Sequence, residues 1–462
     1  MVLLMVGQLS AQQIHSNGKN AKIYIAFHWH MHQPIYMPYE SVVQTQQSNA
    51  YSFSLYDVFT TRTGPYTDWP KNAVQKGISA NMGHFGAQVS FSGSLVENLN
   101  NLSAAGVGFS NWKSHWNSII TQKTTLNNPR IDLVGFGYHH PLMGLIDQQD
   151  IRKSIQDHKA VFQTNFPNYG YSKGIFPPEN AFSVRMIPAL VAEGLQWVLV
   201  DNFNFERASK GCPTGDGTGV LKPNQADILN PNPNDWVSLN GLWCPSPVSA
   251  RWAHQPKYVQ YVDPYTGQTS RIIAVPASRY LGNEDGRGGF GALNYDYVMS
   301  QLESYNTDPN HPILLVLHHD GDNYGGGSEG YYGSNFQNFV NWLGENSHRF
   351  ECTTIQDYLD RFPPSTTDVI HVQDGSWVGA DSGDPEFKKW NGDPGNYQGT
   401  ANYSPDRNSW GIVTAAKNIV ATAQQVNPTS QHTTNAWKYY LNSQTSCYWY
   451  WDGTEMWDSH PA

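Results

Sequence analysis

The sequence predicts an α/β fold, in which a repeated strand-helix unit forms a parallel sheet or barrel and a helical extension follows. Residues 22–363 alternate short apolar runs with longer amphipathic stretches, which is the pattern of such a repeat. After Pro363 and Pro364 the chain changes to loops rich in Asp, Gly, Asn and Trp. We therefore assign residues 22–363 to the α/β domain, residues 364–462 to a loop-rich and helical region packed on it, and residues 1–21 to an N-terminal segment.

The length of each apolar run separates strands from helices. Seven short runs predict strands, at 22–28, 88–92, 132–137, 174–176, 197–200, 271–275 and 313–318. Amphipathic stretches that mostly lie between them predict helices, at 111–121, 150–166, 184–193, 295–305 and 335–345. Two further helices are predicted in the extension, at 409–425 and 434–443.

The composition favours a neutral, hydroxyl-rich ligand. Charged residues are 14% of the chain and the net charge is −10, so we predict no basic surface for nucleic acid. The 16 Trp, 26 Tyr and 19 Phe are set among many amides, and aromatic rings stack on sugar rings while amides bond hydroxyls. Any single ring is more often a core residue. Beyond the N-terminal segment, no run approaches the roughly 18 apolar residues of a membrane span, so no membrane partner is predicted.

The N-terminus and the cysteines bear on the cellular compartment. Residues 1–11 resemble the last part of a secretory signal, although the charged segment that begins such a signal is missing. We expect a secreted or periplasmic protein, with a cytoplasmic location as the alternative. Cys212, Cys244, Cys352 and Cys447 form no CxxC pair, which argues against a zinc ribbon. Outside the cytosol they could form two disulfides, and four buried free thiols are the alternative.

Histidines follow two of the predicted strands. The first strand runs into His28-Trp29-His30-Met31-His32-Gln33-Pro34, and a side-chain period of two places the three histidines on one side. They could bind sugar hydroxyls, hold a metal ion, or be buried without a ligand. The second cluster, Tyr138-His139-His140-Pro141, also follows an apolar run. Polar residues at the carboxyl end of a barrel strand belong to the face that carries the active site.

A carboxylate follows the short strand at 174–176. Pro177 and Pro178 precede Glu179, and we expect the two prolines to hold it in a defined extended geometry. Such rigid placement suits a nucleophile, which must stay close to the atom that it attacks. The alternative is that Glu179 caps a helix that follows.

A second acidic motif follows the most apolar predicted strand. The run ends in His318-His319-Asp320-Gly321-Asp322, and acidic groups at the end of a buried strand are costly unless they are used or paired. We predict that Asp320 is a general acid. Asp322 is its rival, and the alternative is that this Asp-Gly-Asp turn binds its own backbone amides.

Taken in order, these motifs resemble the signature regions of glycoside hydrolase family 57. His32-Gln33-Pro34, Tyr138 to Pro141, Pro-Pro-Glu ending at Glu179 and His-Asp-Gly around Asp320 agree in order and spacing. The resemblance implies an incomplete (β/α)7 barrel with a C-terminal helical extension, with Glu179 as nucleophile and Asp320 as acid/base. Two residues depart from the family pattern, since Phe176 stands where Trp is frequent and His319 where a second Asp is frequent.

The resemblance also implies the reaction. We expect a retaining hydrolase of α-linked glucans, similar to an α-amylase, whose two carboxyl groups lie about 5–5.5 Å apart. The predicted substrate-binding residues are His32, Gln33, His140, His319 and Asp322, with Trp29 as a stacking platform.

Three other functions stay open on the sequence. They are a 4-α-glucanotransferase or branching enzyme with the same site, a metal-dependent polysaccharide deacetylase, and a sugar-binding protein without catalysis. An oligo- or polysaccharide is the predicted partner, no metal or cofactor is expected, and the oligomeric state is left open.

Overall fold

A computed structural model of the protein describes residues 21–214, 222–242, 247–287, 293–378, 382–388, 390–391 and 405–449. Its strands are β1 (Ile23–Met31), β2 (Ala87–Phe91), β3 (Ile131–Leu133), β4 (Gly174–Ile175), β5 (Trp197–Asp201), β6 (Trp236–Ser238), β7 (Pro247–Ser249), β8 (Lys257–Val262), β9 (Thr269–Ala277), β10 (Leu314–Asp320), β11 (Phe350–Cys352), β12 (Val369–Ile370), β13 (Gly375–Val378) and β14 (Ser382–Pro385). The predicted N-terminal segment lies outside the described residues, except for Ala21.

The helices cover the sheets and form the C-terminal extension. They are α1 (Val42–Ser48), α2 (Leu55–Thr60), α3 (Thr63–Tyr66), α4 (Trp69–Ser79), α5 (Gly93–Ala104), α6 (Trp112–Ile119), α7 (Gln148–Asn165), α8 (Ile187–Ala192), α9 (Asn202–Arg207), α10 (Arg279–Gly286), α11 (Tyr295–Met299), α12 (Phe336–Glu345), α13 (Ile355–Arg361), α14 (Pro405–Val426) and α15 (Gln431–Asn442). None of those searched is both long and apolar enough to cross a membrane.

Two five-stranded sheets carry the α/β architecture. The first has the order β10-β1-β2-β3 with β11 also paired to β1, and every pairing in it is parallel. The second has the order β12-β8-β9-β5-β4, and only the β8-β9 pairing in it is antiparallel. Beyond the end of β3, the Gly135 amide donates to the Gly174 carbonyl (2.8 Å) and links the sheets. The Ser278 amide, just after β9, donates to the Val316 carbonyl on β10 (3.0 Å).

All seven predicted strands are present, as β1 to β5, β9 and β10, with ends that shift by a few residues. The helix predicted at 184–193 is split into a 3₁₀ turn at Val184–Met186 and helix α8, with a proline in the first turn of α8. The helix predicted at 295–305 becomes α11 followed by a 3₁₀ segment. The prediction missed β8, because Lys257 and Gln260 break up its short apolar run.

The first strand is buried along its whole length, with different partners on its two faces. Ile23, Phe27 and Trp29 pack into the larger apolar cluster with side chains of α4 and α12. Tyr24 and Ala26 point to the opposite face, into a cluster formed by residues of both sheets. His28 and His30 continue this second face by the period of two, so the histidines extend the apolar core between the sheets.

The structure describes three of the four cysteines. Cys212 and Cys352 are free thiols among the residues that the structure describes, and Cys352 is buried. Cys244 lies outside the described residues, so a disulfide that involves it stays a prediction.

Helices α14 and α15 pack against each other and dock on α7 through a buried carboxylate. Asp150 is 1% exposed and accepts hydrogen bonds from the Tyr440 hydroxyl (2.6 Å) and the Gln444 amide (2.8 Å). The Lys417 ammonium pairs with Asp150 and with Asp147, which caps α7. Three residues of the C-terminal region therefore satisfy one carboxylate of the α/β domain.

We predict that Lys417→Met lowers the free energy of unfolding by about 3 kcal/mol, because it leaves Asp150 buried without its counterion. Lys438→Met on α15 is the matched control, since the Lys438 side chain is 58% exposed and its ammonium lies 3.9 Å from Glu97. That variant should change the free energy by less than about 0.5 kcal/mol. Urea denaturation followed by tryptophan fluorescence measures both, and equal losses would contradict the prediction.

Candidate active site

A cavity of roughly 540 Å³ opens at the carboxyl ends of the parallel strands. This volume is typical of small-ligand sites, which enclose about 300–1,000 Å³. Seven of the eight residues that the sequence predicts for the site line it: His32, Gln33, His140, Glu179, His319, Asp320 and Asp322. The parallel strands thus bring together side chains that are far apart in sequence.

The register of three neighbouring strands stacks the polar side chains in layers. His28 on β1 is beside His318 on β10, and their Nδ1 atoms are 2.7 Å apart in the deepest layer. His30 is the register partner of Asp320 on one side and of Ser90 on the other. In the outermost layer the Asp322 carboxylate accepts a hydrogen bond from the His32 backbone amide (3.1 Å). Each step of two residues along β1 therefore adds one layer toward the cavity.

The backbone at Glu179 differs from the prediction. Pro177 is extended (φ −69°, ψ 128°), but Glu179 lies in the left-handed region (φ 57°, ψ 22°) inside a 3₁₀ turn at Pro178–Asn180. The expected extended geometry is wrong, because the chain reverses direction directly after the two prolines. Ser183, not Glu179, caps the helical segment that follows. A left-handed conformation is strained for a glutamate, and such strain persists only where the surroundings hold it.

Glu179 is largely buried and has two polar neighbours. Its Oε1 accepts a hydrogen bond from the Ser446 hydroxyl (2.9 Å), and the His140 Nδ1 lies 3.8 Å from the same oxygen. Burial raises the pKa of Glu179 to about 7, the Ser446 hydrogen bond opposes this shift, and the negative charge of Asp320 adds to it. The carboxyl group therefore titrates near neutral pH.

Asp320 and Asp322 share the other side of the cavity. Burial raises the pKa of Asp320, while His319 and Arg62 act to lower it. Burial and the neighbouring Asp320 raise the pKa of Asp322 to about 7. Asp322 accepts hydrogen bonds from the Tyr66 hydroxyl (2.8 Å) and the His32 amide, so it does not bind the amides of its own turn.

His319 lines the cavity, but its ring nitrogens are engaged by the protein. Nδ1 is 2.7 Å from the Asp320 carbonyl oxygen, and Nε2 is 2.9 Å from the Tyr331 hydroxyl and 3.1 Å from the buried Asp285 carboxylate. The predicted bonds from this ring to sugar hydroxyls are therefore not available. His319 instead fixes the backbone of Asp320.

The His140 ring is engaged in the same way, which also removes it as a direct ligand of hydroxyls. Its Nδ1 is 2.6 Å from the Ser446 hydroxyl and its Nε2 is 2.9 Å from the His30 Nε2. The His32 ring stacks on it, with 4.1 Å between the ring centroids, and bonds Ser92 through Nδ1. Burial lowers the pKa of His30, His32 and His140 well below the ordinary value, so these rings are neutral.

The prediction that Trp29 stacks on a sugar ring is wrong. Trp29 is completely buried, and its indole donates to the Tyr331 hydroxyl (2.9 Å) and packs edge-on against Tyr332 and Phe336. A side chain without exposed surface cannot contact a ligand. Trp377 from the predicted extension lines the cavity and is only partly buried.

Other cavity residues were not predicted. Arg62, Arg287, Tyr324 and Cys447 all line it, and Ser446 contacts Glu179 from behind. Tyr324 lies two residues after the predicted Asp322, whereas the others carry no local signal because they reach the cavity through long-range packing. Within the described ranges, no three His, Cys, Asp or Glu side chains are arranged to hold a metal ion.

Comparison with known proteins identifies relatives of this chain. The model of glycosyl hydrolase family 57 matches residues 26–373. An α-amylase from Niallia circulans is 32% identical over 356 residues, which cover 71% of this chain and 26% of that protein. The chain therefore spans about a quarter of the length of this relative.

Solved structures share the fold. The 4-α-glucanotransferase from Thermococcus litoralis superposes with a TM-score of 0.56 at 16% identity, over 93% of this chain and 56% of that one. The family 57 branching enzyme from Pyrococcus horikoshii gives 0.57 at 12% identity, over 92% and 85% of the two chains. At these identities the superpositions show a common mixed α/β fold.

We predict that Asp320→Asn lowers the pKa of Glu179 from about 7. The substitution removes a like charge, but burial remains, so the pKa should stay above the ordinary 4.5. Carbon NMR of carboxyl-labelled glutamate measures it, and Glu179→Gln identifies the signal. The control is Glu345→Gln, an exposed carboxyl group at the end of α12, which should leave the pKa unchanged. An unchanged pKa in Asp320→Asn would mean that the two groups do not interact.

Proposed function

Since the chain belongs to glycosyl hydrolase family 57, we propose that it cleaves α-glucan glycosidic bonds with retention of configuration, with Glu179 as nucleophile and Asp320 as general acid/base. The observation that carries this proposal is that both carboxyl groups line one cavity and interact electrostatically. Retaining glycosidases need two such groups on opposite sides of the scissile bond, about 5–5.5 Å apart. The α-amylase relative supports an α-linked glucan as the substrate.

The first half of the reaction uses both groups at once. The ionised Glu179 attacks the anomeric carbon, while the protonated Asp320 donates its proton to the leaving oxygen. Ionised Asp320 then takes a proton from the incoming acceptor, which displaces Glu179 from the sugar. Water as acceptor gives hydrolysis, and a second sugar gives transglycosylation through the same covalent intermediate.

The raised pKa values fit two groups that share one proton. Burial raises the pKa of both groups, and the negative charge of Asp320 raises the pKa of Glu179 further, so ionising both groups at once is costly. The Ser446 hydroxyl stabilises the charge on Glu179, which favours the state with the proton on Asp320. Because Glu179 must be ionised to attack, activity should fall as the pH drops below about 7.

We also propose that the two sheets together form an incomplete seven-stranded barrel. The order β10-β1-β2-β3 continues into β4-β5-β9 through the hydrogen bonds that join Gly135, Gly174 and Phe176. The bond from Ser278 to Val316 relates β9 to β10. This arrangement would explain why the cavity lies at the carboxyl ends of strands from both sheets.

Gln33, Asp322 and Trp377 are the proposed contacts to the sugar. The Gln33 Oε1 accepts a hydrogen bond from the Tyr36 hydroxyl (2.6 Å), and this bond orients the Gln33 amide group at the cavity. The hydrogen bonds from the His32 amide and the Tyr66 hydroxyl to Asp322 are both accepted by Oδ2, which supports Oδ1 as an acceptor for a sugar hydroxyl. The partly exposed face of Trp377 takes the stacking role that was assigned to Trp29.

We predict different losses for the two catalytic substitutions. Glu179→Gln should reduce kcat on soluble starch by about 10³-fold or more and abolish trapping by an activated fluoro-sugar. Asp320→Asn should lose starch hydrolysis but still form the adduct, because fluoride leaves without a proton. Mass spectrometry of the adduct and NMR of the product anomer measure these outcomes. Glu345→Gln serves as the control, and an adduct on any other residue would refute the assignment.

We predict that Trp377→Ala raises KM for α-glucans roughly three- to tenfold with little change in kcat, as expected for the loss of a stacking contact. Trp377→Phe keeps an aromatic face and should stay within about threefold of the unaltered protein. Steady-state kinetics on maltooligosaccharides of increasing length measure the effect. An unchanged KM in Trp377→Ala would remove this residue from the binding site.

A further inference from the structure

A continuous chain of hydrogen bonds leads from the Glu179 carboxyl group into the core. Glu179 accepts from the Ser446 hydroxyl (2.9 Å), and the same hydroxyl lies 2.6 Å from the His140 Nδ1. The His140 Nε2 is 2.9 Å from the His30 Nε2, and the His30 Nδ1 is 2.9 Å from the Ser90 hydroxyl. Ser446 and Ser90 are completely buried, and the two rings are buried as well.

The chemistry of the two rings gives this chain a direction. A neutral imidazole has one N–H donor and one acceptor nitrogen. When Glu179 is ionised it can only accept, so Ser446 donates to it and must accept from the His140 Nδ1. The His140 Nε2 then accepts from the His30 Nε2, and the His30 Nδ1 accepts from Ser90. Every hydrogen bond in the chain therefore points toward the carboxylate.

Protonation of Glu179 reverses every bond. A protonated carboxyl group donates to the Ser446 oxygen, so Ser446 donates to the His140 Nδ1 instead. The ring protons then lie on the His140 Nε2 and the His30 Nδ1, and Ser90 accepts. One proton is added to the chain of hydrogen bonds from Glu179 to Ser90, and each ring stays neutral in both states.

The segment that supplies Ser446 is fixed to the loop that holds His140. The Ser446 amide donates to the His140 carbonyl (2.9 Å), and Thr445 pairs with Pro141 in an isolated antiparallel bridge. His140 itself is left-handed (φ 63°), which aims its ring between His30 and Ser446. Ser446 lies beyond the family match, which ends at residue 373. The position of this hydroxyl group is thus set by the C-terminal region.

We propose that Ser446 is a positioning residue that couples Glu179 to His140 and His30, so that both rings change tautomer when the carboxyl group is protonated. The inference rests on the proposed function, because it assigns the coupling to the nucleophile. In the ionised state the aligned donors stabilise the carboxylate at the oxygen that Ser446 bonds. The other carboxylate oxygen is left for attack on the sugar.

Other charged and titratable groups also face this cavity, and among them Asp320 raises the pKa of Glu179. They are His32 after β1, Arg62, Arg287, His319 and Asp320 on β10, and Asp322 directly after it. Cys447 follows Ser446 and lies 3.4 Å from the His32 Nε2. Ser446 differs from all of these because its hydroxyl donates directly to the carboxylate.

The pH dependence of kcat/KM tests the coupling. Ser446→Ala removes a hydrogen bond to the ionised form, so the acidic limb should move from about 7 upward by about one pH unit. Ser446→Thr keeps the hydroxyl group and should restore the limb. Ser443→Ala is the matched control, since the Ser443 hydroxyl donates to the Tyr440 carbonyl (2.7 Å) and contacts no carboxylate. An acidic limb that is the same in Ser446→Ala and Ser443→Ala would overturn the proposal.

Nitrogen NMR of ring-labelled histidine tests the tautomers in the unaltered protein. His140 should carry its proton on Nδ1 above the pKa of Glu179 and on Nε2 below it, with the opposite change in His30. His140→Gln and His30→Gln assign the signals. Rings that keep one tautomer across this range, in a protein that is still trapped at Glu179, would overturn the coupling and leave the proposed function intact. No adduct at Glu179 in the unaltered protein would overturn the proposed function itself.

Discussion

Desolvation of the histidine cluster at the ends of β1 and β10 is the constraint on which the cavity depends. Burial lowers the pKa values of His28, His30 and His318, because the charged imidazolium form loses its hydration. Neutral rings can lie in contact without repulsion, and the strand register requires this contact. A neutral ring has one donor and one acceptor nitrogen, and His30 uses both, whereas the Nε2 atoms of His28 and His318 are buried without a hydrogen-bond partner among the described residues. The packing of the core therefore decides the orientation of the polar groups above it.

Because the buried histidines below the cavity are neutral, they do not offset the burial that makes both carboxyl groups hard to ionise. Charged histidines below Glu179 would lower its pKa, but these rings offer only dipoles. Three buried carboxyl groups, Glu179, Asp320 and Asp322, line this cavity, and the charge of Asp320 makes the other two harder to ionise. A glycosidase needs one charged and one protonated carboxyl group at the same time, and it needs them to exchange roles during the cycle. Competition for charge contributes to that asymmetry, while His319 and Arg62 act to lower the pKa of Asp320.

Much of the architecture follows from local sequence rules. The period of two along β1 places His28, His30 and His32 on one face, and the apolar runs locate all seven predicted strands. The presence of Glu179 and Asp320 in one cavity follows from their position after parallel strands. These predictions succeed because they depend on residues that are close in sequence or on the common direction of the strands.

The predictions that failed concern contacts between distant segments. Trp29 lies on the face of β1 opposite to the histidines, and only the placement of Tyr331 and Phe336, some 300 residues later, determines that this face is closed. The two prolines before Glu179 favour an extended chain, but the backbone turns into the left-handed region at Glu179 itself. The bonds of Asp285 to His319 and of Ser446 to Glu179 leave no local pattern at all.

The C-terminal region is joined to the candidate active site in energetic terms as well as in space. Asp150 binds Lys417, Tyr440 and Gln444, which docks the C-terminal region on α7. Two residues after Gln444, Ser446 contacts His140 and Glu179. A buried carboxylate without its donors is costly, so the docked arrangement is strongly favoured over a partly detached one. Because only Thr445 separates the docked Gln444 from Ser446, the segment cannot detach at Ser446 while Gln444 stays bound. The free energy of helix docking therefore also holds the hydroxyl group against the Glu179 carboxyl group.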